Sequence, residues 1–205
     1  MATFDLDMLS NEQMDVLKEI GNIGAGNAAT ALSKLIDKKV DMTVPVVKLC
    51  DFDEITEFVG GAETLMVGIL LGIEGDIDGM MMFLFDKGSC SNLVSTLMGI
   101  DRDKEKDFDD MELSALSEIG NIVSGSYLTS LSTLTGLKML STVPSLSIDM
   151  VGSLISIPAA QYGQVGDKFM LIETQFGDED FLKGYFLLIP DLESYEKILG
   201  SLGVF

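Results

Sequence analysis

Residues 17–47 read LKEIGNIGAGNAATALSKLIDKKVDMTVPVV, and residues 116–146 read LSEIGNIVSGSYLTSLSTLTGLKMLSTVPSL. At a constant offset of 99 and without a gap, 15 of these 31 positions are identical, among them EIGNI, a glycine and TVP. Self-similarity of this length marks an internal duplication, so the fold has to be read as two related halves. A fainter echo, GMMMFLFDKGSCSNLVSTLM at 79–98 against GYFLLIPDLESYEKILGSLG at 184–203, carries the repeat toward the end of each half. The acidic stretch DRDKEKDFDD at 101–110 is the joint. The expected organisation is a single domain over 1–205, made of repeats at about 8–100 and 109–204.

Each half reads as a long helix, a strand, a short helical segment, two strands and a closing helix. Ser10-x-x-Gln13 and Asp109-x-x-Glu112 have capping-box spacing and open the two long helices. Strands are expected over roughly Lys39–Val47, Thr64–Glu74 and Asp78–Asp86, then Leu137–Ile148, Lys168–Phe176 and Leu182–Pro190. The connections Gly75–Ile77 and Gly177–Phe181 have hairpin length, which implies antiparallel pairing. The fold class is therefore α+β with pseudo-twofold symmetry: an antiparallel sheet of about six strands and two long outward-facing helices. Met80, Met81 and Met82 suit the filling of a core better than a binding surface.

At 100° per residue, Val16, Leu17, Ile20, Ile23, Gly24, Ala28, Ala31, Leu32 and Leu35 form one arc of the first long helix. Asp15, Glu19, Asn22 and Gly26 lie opposite it. The second helix repeats the arrangement, with Ser114, Glu118, Asn121 and Gly125 facing away from its apolar arc and Tyr127 turned coreward. A solvated polar face is the plain alternative to a site. Neighbouring outward positions nevertheless diverged between the repeats, Lys18 to Ser117 and Asn27 to Ser126. Asparagine is an indifferent helix former, and each helical glycine costs about 1 kcal/mol relative to alanine. Poor helix formers kept twice at the same outward places suggest that a partner comes close there and is gripped. Gly21 and Gly120 suit tight packing, Gly26 and Gly125 clearance for that partner.

The 205 residues include 33 acidic and 13 basic ones, no histidine, and one arginine, Arg102, for a net charge of −20. Such a chain repels nucleic acid, anionic membrane and small free phosphates, and favours a basic or cation-bearing partner. Without histidine there is no serine–histidine or cysteine–histidine triad, and most catalytic zinc sites are excluded. Cys50 and Cys90, far apart, read as buried thiols of a reducing compartment. The N-terminal stretch has no basic region of a signal peptide, and the longest apolar run, Leu65–Ile73, is short of the roughly 20 residues of a bilayer span. The expected setting is cytoplasmic.

Two motifs carry less. Gly21-x-x-Gly24-x-Gly26 has the wrong spacing for a phosphate loop and lies well inside its helix. Asp101, Asp103, Glu105, Asp107, Asp109 and Glu112 have the spacing of a calcium loop, but Lys106 stands where the sharp turn needs glycine. An acidic joint that caps the second helix is the better reading, and no metal site is expected. A carboxylate and an amide at i and i+3 suit a different task. The amide has no useful pKa for general-base work, but it can hold a water in line for attack, while the carboxylate pairs with a lysine. Those two capacities suit a protein that supplies a few positioned groups to another protein's active site.

The pattern Asp15-x-x-x-Glu19-x-x-Asn22, repeated as Ser114-x-x-x-Glu118-x-x-Asn121, closely resembles the CheC/CheX/FliY phosphatase family of bacterial chemotaxis. FDEITEFVGGAE, SIDMVG and LLIPDLESYEKILGSLG extend the resemblance over essentially the whole chain. The resemblance implies a CheC-like duplicated fold and hydrolysis of the aspartyl-phosphate of the response regulator CheY, a two-component signal-transduction activity. It implies that Glu19 and Glu118 pair with a lysine of CheY and that Asn22 and Asn121 orient the attacking water. Asp15 and Ser114 would then support the contact helices. The chain would need no cofactor of its own, Mg2+ being held by CheY, and would also bind CheD, a receptor deamidase. The alternative within the same resemblance is an adaptor that binds CheD or CheY without useful turnover.

Overall fold

The computed structural model describes residues 9–43, 46–104, 106–162, 169–176 and 182–204. The first half holds α1 (Asn11–Ile36), β1 (Val46–Cys50), α2 (Phe52–Phe58), β2 (Leu65–Gly75), β3 (Gly79–Asp86) and α3 (Lys87–Met98). The second holds α4 (Asp110–Thr135), β4 (Met139–Ser141), β5 (Ser145–Met150), α5 (Val151–Tyr162), β6 (Phe169–Phe176), β7 (Leu182–Pro190) and α6 (Leu192–Ser201). The two long helices begin where the capping boxes place them. Ser10 Oγ accepts from the Gln13 N–H, and Asp109 accepts from the N–H groups of Met111 and Glu112. In both boxes the side chain three residues on returns to accept the cap's own N–H.

The strands form one antiparallel sheet in the order β1-β6-β7-β3-β2-β4, with β5 beside β4 on β2. That order is a palindrome of the duplication. β3 and β7 meet at the centre, with Phe83 opposite Phe186, while β2 and β6 flank them and β1 and β4/β5 form the two edges. Among the described residues the sheet has seven strands, against the six or so that the sequence suggests. The expected strand Leu137–Ile148 is broken after Thr142: its N–H still donates to the Gly72 carbonyl (3.0 Å), but the Gly72 N–H goes to its side-chain Oγ1 (2.8 Å), and pairing with β2 resumes at Ser145 with the register shifted by one residue. The first strand covers Val46–Cys50 rather than Lys39–Val47, and among the described residues of the earlier segment Met42 alone makes a bridge. Lys168, the connection Gly177–Phe181, and residues Val44 and Pro45 of the first TVP lie outside the described residues.

Period-two alternation sends successive strand residues to opposite faces. Val67, Ile69, Leu71, Met81, Phe83, Ile172 and Phe186 join α1, α3, α4 and α6 in one core. Met66, Met82, Leu84, Leu171 and Leu187 join α2 and α5 in the other. Met81 and Met82 are thus both core residues, one in each layer. Cys50 and Cys90 are buried on opposite faces, which keeps a disulfide from joining them.

α1 and α4 pack side by side on the first face. A Cβ at Gly21 would come within 2.8 Å of Val47, and one at Gly120 within 2.7 Å of Ile69, so these glycines let the helices sit down on the sheet. Gly24 is a notch for Tyr127 of α4, where a Cβ would stand 2.1 Å from the ring. The phenol of Tyr127 is fully enclosed and its hydroxyl has no hydrogen-bond partner among the described residues. A buried hydroxyl in that state costs about 1–3 kcal/mol. Tyr127→Phe keeps the ring and removes the orphan, and is expected to stabilise the chain by about 1 kcal/mol in a thermal or urea melt.

The joint between the halves is organised by the single arginine. Arg102 donates to Glu112 Oε1 (2.7 Å), to Ser91 Oγ (2.8 Å) and to the carbonyls of Asp103 and Lys106, and its guanidinium lies 4.0 Å from the centre of the Phe108 ring. Both charged side chains are buried, at 4% and 8% exposure, so each depends on the other for its neutralisation. This engages the joint's acids differently from a calcium loop. Glu112 is committed to Arg102 and the cap, Asp109 to the cap, and Asp107 to Lys87, while Glu105 is outside the described residues.

Candidate functional site

The contacts between α1 and α4 run forward along one helix and backward along the other. Gly24 meets Tyr127, Ser126 Oγ donates to the Asn27 carbonyl (3.0 Å), and Ala31, Lys34 and Leu35 share a groove with Ile122. The helices are therefore antiparallel, and the equivalent residues Asn27 and Ser126 meet at the local twofold. Asn22 and Asn121 each lie five residues before that point. At 1.5 Å per residue they stand on opposite sides of it, about 15 Å apart along the helix axes.

The helical angles show where each motif points. With Leu17 at zero, the sheet lies toward Leu17, Gly21 and Leu32, near roughly 30°, and α4 lies toward Gly24 and Asn27, near roughly 310°. Glu19 and Asn22 lie near roughly 170°, away from both. The structure bears this out in exposure: Asp15, Glu19, Ser114, Glu118 and Asn121 are exposed, and Asn22 is half-buried. Gly26 and Gly125 continue the same two faces, and a Cβ at either would meet nothing within 4 Å. Packing thus accounts for Gly21, Gly24 and Gly120 but leaves Gly26 and Gly125 unexplained.

The hydrogen bonding sets the motif side chains apart. Along these helices Asn27, Thr30, Ser114, Ser117, Ser124, Thr129, Ser130, Thr133 and Thr135 all donate to backbone carbonyls of their own helix. The side chains of Glu19, Asn22, Glu118 and Asn121 make no hydrogen bond or ion pair within the described residues. Each pair presents one carboxylate and one amide to the outside, free to engage something else. Their flanks differ: Asp15 holds Lys18 at 3.0 Å, whereas Ser114 turns back onto the Asp110 carbonyl.

The second pair borders an open groove of about 590 Å³ between α4 and the β4–β5 edge. One wall carries Ser114, Ser117, Glu118 and Asn121; the other is Ser141–Pro144. That second wall was not apparent as part of a site in the sequence, although the repeated TVP was its visible trace. The Cys90 thiol and the Tyr127 phenol lie in the core, away from this groove. Burial pushes the Cys90 thiol and the Tyr127 phenol far up from their ordinary values, so neither ionises near neutrality. Among the described residues no three acidic or cysteine side chains come together as a metal set, and no helix is long and apolar enough to cross a membrane.

Comparison with known proteins agrees with this architecture. The model of the CheC-like family matches twice, at residues 12–49 and 111–148, again at an offset of 99. The chain is 40% identical over 200 residues to the CheY-P phosphatase CheC of Bacillus subtilis, covering 95% of this chain and 96% of that protein. The chain belongs to the CheC-like family. Among solved structures, FliY of Thermotoga maritima superposes on this CheC-like chain with a TM-score of 0.74 at 25% identity, over 96% of this chain and 98% of that one. A chain of the CheX–CheY–BeF3–Mg2+ complex from Borrelia burgdorferi shares the fold, with a TM-score of 0.55 at 18% identity over 82% and 95% of the two chains. The α+β fold with its duplicated halves is thus that of the family, and both copies of the motif lie inside the matched segments.

Proposed function

We propose that this chain is a protein phosphatase that hydrolyses the aspartyl-phosphate of CheY by lending its outward side chains to the CheY active site. The phosphatase assignment is supported by membership of the family and by the CheY-P phosphatase named at 40% identity. The mechanism rests on one observation: the side chains of Glu19, Glu118 and Asn121, exposed, and of Asn22, half-buried, make no hydrogen bond among the described residues. Glu19 or Glu118 would pair with the lysine beside the phosphorylated aspartate and fix the helix against CheY. Asn22 or Asn121, one turn away on the same face, would then hold a water in line with the phosphorus. The amide accepts a hydrogen bond from that water through its oxygen and donates through its nitrogen, so it orients the nucleophile without taking its proton. Chemistry at the phosphorus is served by Mg2+ held in CheY, and catalysis by this chain consists of positioning. Asp15 and Ser114 would steady the contact helices, and Gly26 and Gly125 would let the two backbones approach.

Binding of CheD is a further part of the proposal and rests on the family resemblance; co-purification of CheD with the chain tests it. The phosphatase reading is tested by the decay of phosphorylated CheY in the presence of each single asparagine variant. Asn22→Ala and Asn121→Ala are each expected to remove the share of turnover owed to their own site and leave the other site's share intact. An adaptor without turnover would leave CheY-P decaying at its own intrinsic rate with the unaltered chain as well.

A further inference from the structure

We infer that Val143 is the apolar docking contact for phosphorylated CheY at the second site, an inference that rests on the phosphatase reading and adds a surface to it. Val143 is the most exposed large hydrophobic side chain among the described residues, at 87%. An isolated exposed valine would carry no argument. This one stands on the wall of the groove whose opposite wall presents Glu118 and Asn121.

Its position is built rather than incidental. Thr142 is tied to Gly72 through both its N–H and its hydroxyl, and Pro144 restricts the backbone on the other side. Pairing with β2 lapses after Thr142 and resumes at Ser145 with the register shifted by one residue, which leaves Val143 projecting between β4 and β5. The chain gives up ladder pairing at that point and gains no burial for the valine. A side chain held in place before the partner arrives contributes its buried area with little ordering cost. The groove is continuous with the motif, so a protein that brings its phosphoryl group to Asn121 closes over this wall. Its chemistry follows from the surroundings: an apolar patch beside its phosphorylation site to cover Val143, and a cation next to that patch to meet Glu118. Phosphorylated CheY is the occupant that the motif already requires. Apolar contact of this kind sets affinity, while the amide sets the rate of the bound complex.

The test uses the full chain carrying Asn22→Ala, so that turnover reports on the second site alone, with phosphorylated CheY as substrate. In that background Val143→Ser is expected to raise KM about tenfold with kcat unchanged, and Val143→Ile to restore KM. Thermal melts of these variants should coincide, because the side chain touches little of its own protein. An unchanged KM, or a fall in kcat alone, overturns the docking role. Asn121→Ala in the same background separates the two levels of the argument. If it abolishes turnover while Val143→Ser changes nothing, the docking inference fails and the phosphatase mechanism stands. If it leaves turnover intact, the mechanism itself is wrong.

Discussion

The double variant Asn22→Ala/Asn121→Ala is expected to lose turnover of phosphorylated CheY by about 100-fold or more, while its Kd for phosphorylated CheY stays within about threefold of the unaltered chain. The asymmetry follows from the role proposed for the amide. A water held in line for displacement is a positioning effect, and misplacement of a reacting group by about an ångström costs on the order of 100-fold in rate. On the proposed mechanism binding draws on the glutamates, the helix faces and the groove wall, none of which the substitution touches. Structural damage does not confound the result, because neither amide makes a hydrogen bond within its own helix or to a neighbour in the described structure. Alanine is moreover the better helix former, so both substitutions should leave the melting temperature equal or slightly higher. Rapid mixing of phosphorylated CheY with excess variant, followed by its decay, reads the rate; a binding isotherm reads the affinity.

The outward glycines give the second large effect, and it runs in opposite directions for stability and function. Gly26→Leu together with Gly125→Leu should raise stability, since each substitution removes a helical glycine worth about 0.8–1.0 kcal/mol at a place where a Cβ meets nothing within 4 Å. The same pair should raise KM for phosphorylated CheY by about 100-fold, because a leucine one turn beyond the asparagine fills the space a partner's backbone needs. Gly24 is the control for the ordinary role of a helical glycine. A leucine there would drive into the Tyr127 ring and separate the helices, so Gly24→Leu should lower stability as well as activity. If the Gly26/Gly125 double variant is stabilised and keeps its KM, these glycines are not clearance for a partner.

Much of this was legible in the sequence because it depends on local rules or on comparison of the chain with itself. Ser10-x-x-Gln13 and Asp109-x-x-Glu112 cap their helices through hydrogen bonds spanning three residues, which a spacing can reveal. Period 3.6 placed Glu19, Asn22, Glu118 and Asn121 opposite the buried arc, and the constant offset separated their persistence from the drift of Lys18 and Asn27. What escaped depends on long-range contact. The break in the strand after Thr142 is a shift of register against β2, whose Gly72 lies seventy residues earlier in the chain. The buried knot of Arg102, Ser91, Glu112 and Phe108 read only as an acidic joint that caps the second long helix, because composition reports net charge and not where one cation is enclosed. The groove wall at Val143 needed both the α4 face and the sheet edge, and only the recurrence of TVP hinted that this segment had a task. The antiparallel pairing of α1 and α4, which sends the two sites to opposite sides of a twofold, was likewise beyond a helical wheel drawn for one helix at a time.

The central claim, that an outward amide completes the CheY active site, is tested most directly by the structure of this chain bound to CheY carrying a phosphoryl mimic. The account predicts α1 or α4 laid across the phosphorylation site, with the Asn22 or Asn121 amide within about 3 Å of the water in line for attack and the paired glutamate on the lysine of CheY. A complex in which CheY sits on another face of the chain, with both asparagines still open to solvent, would contradict it.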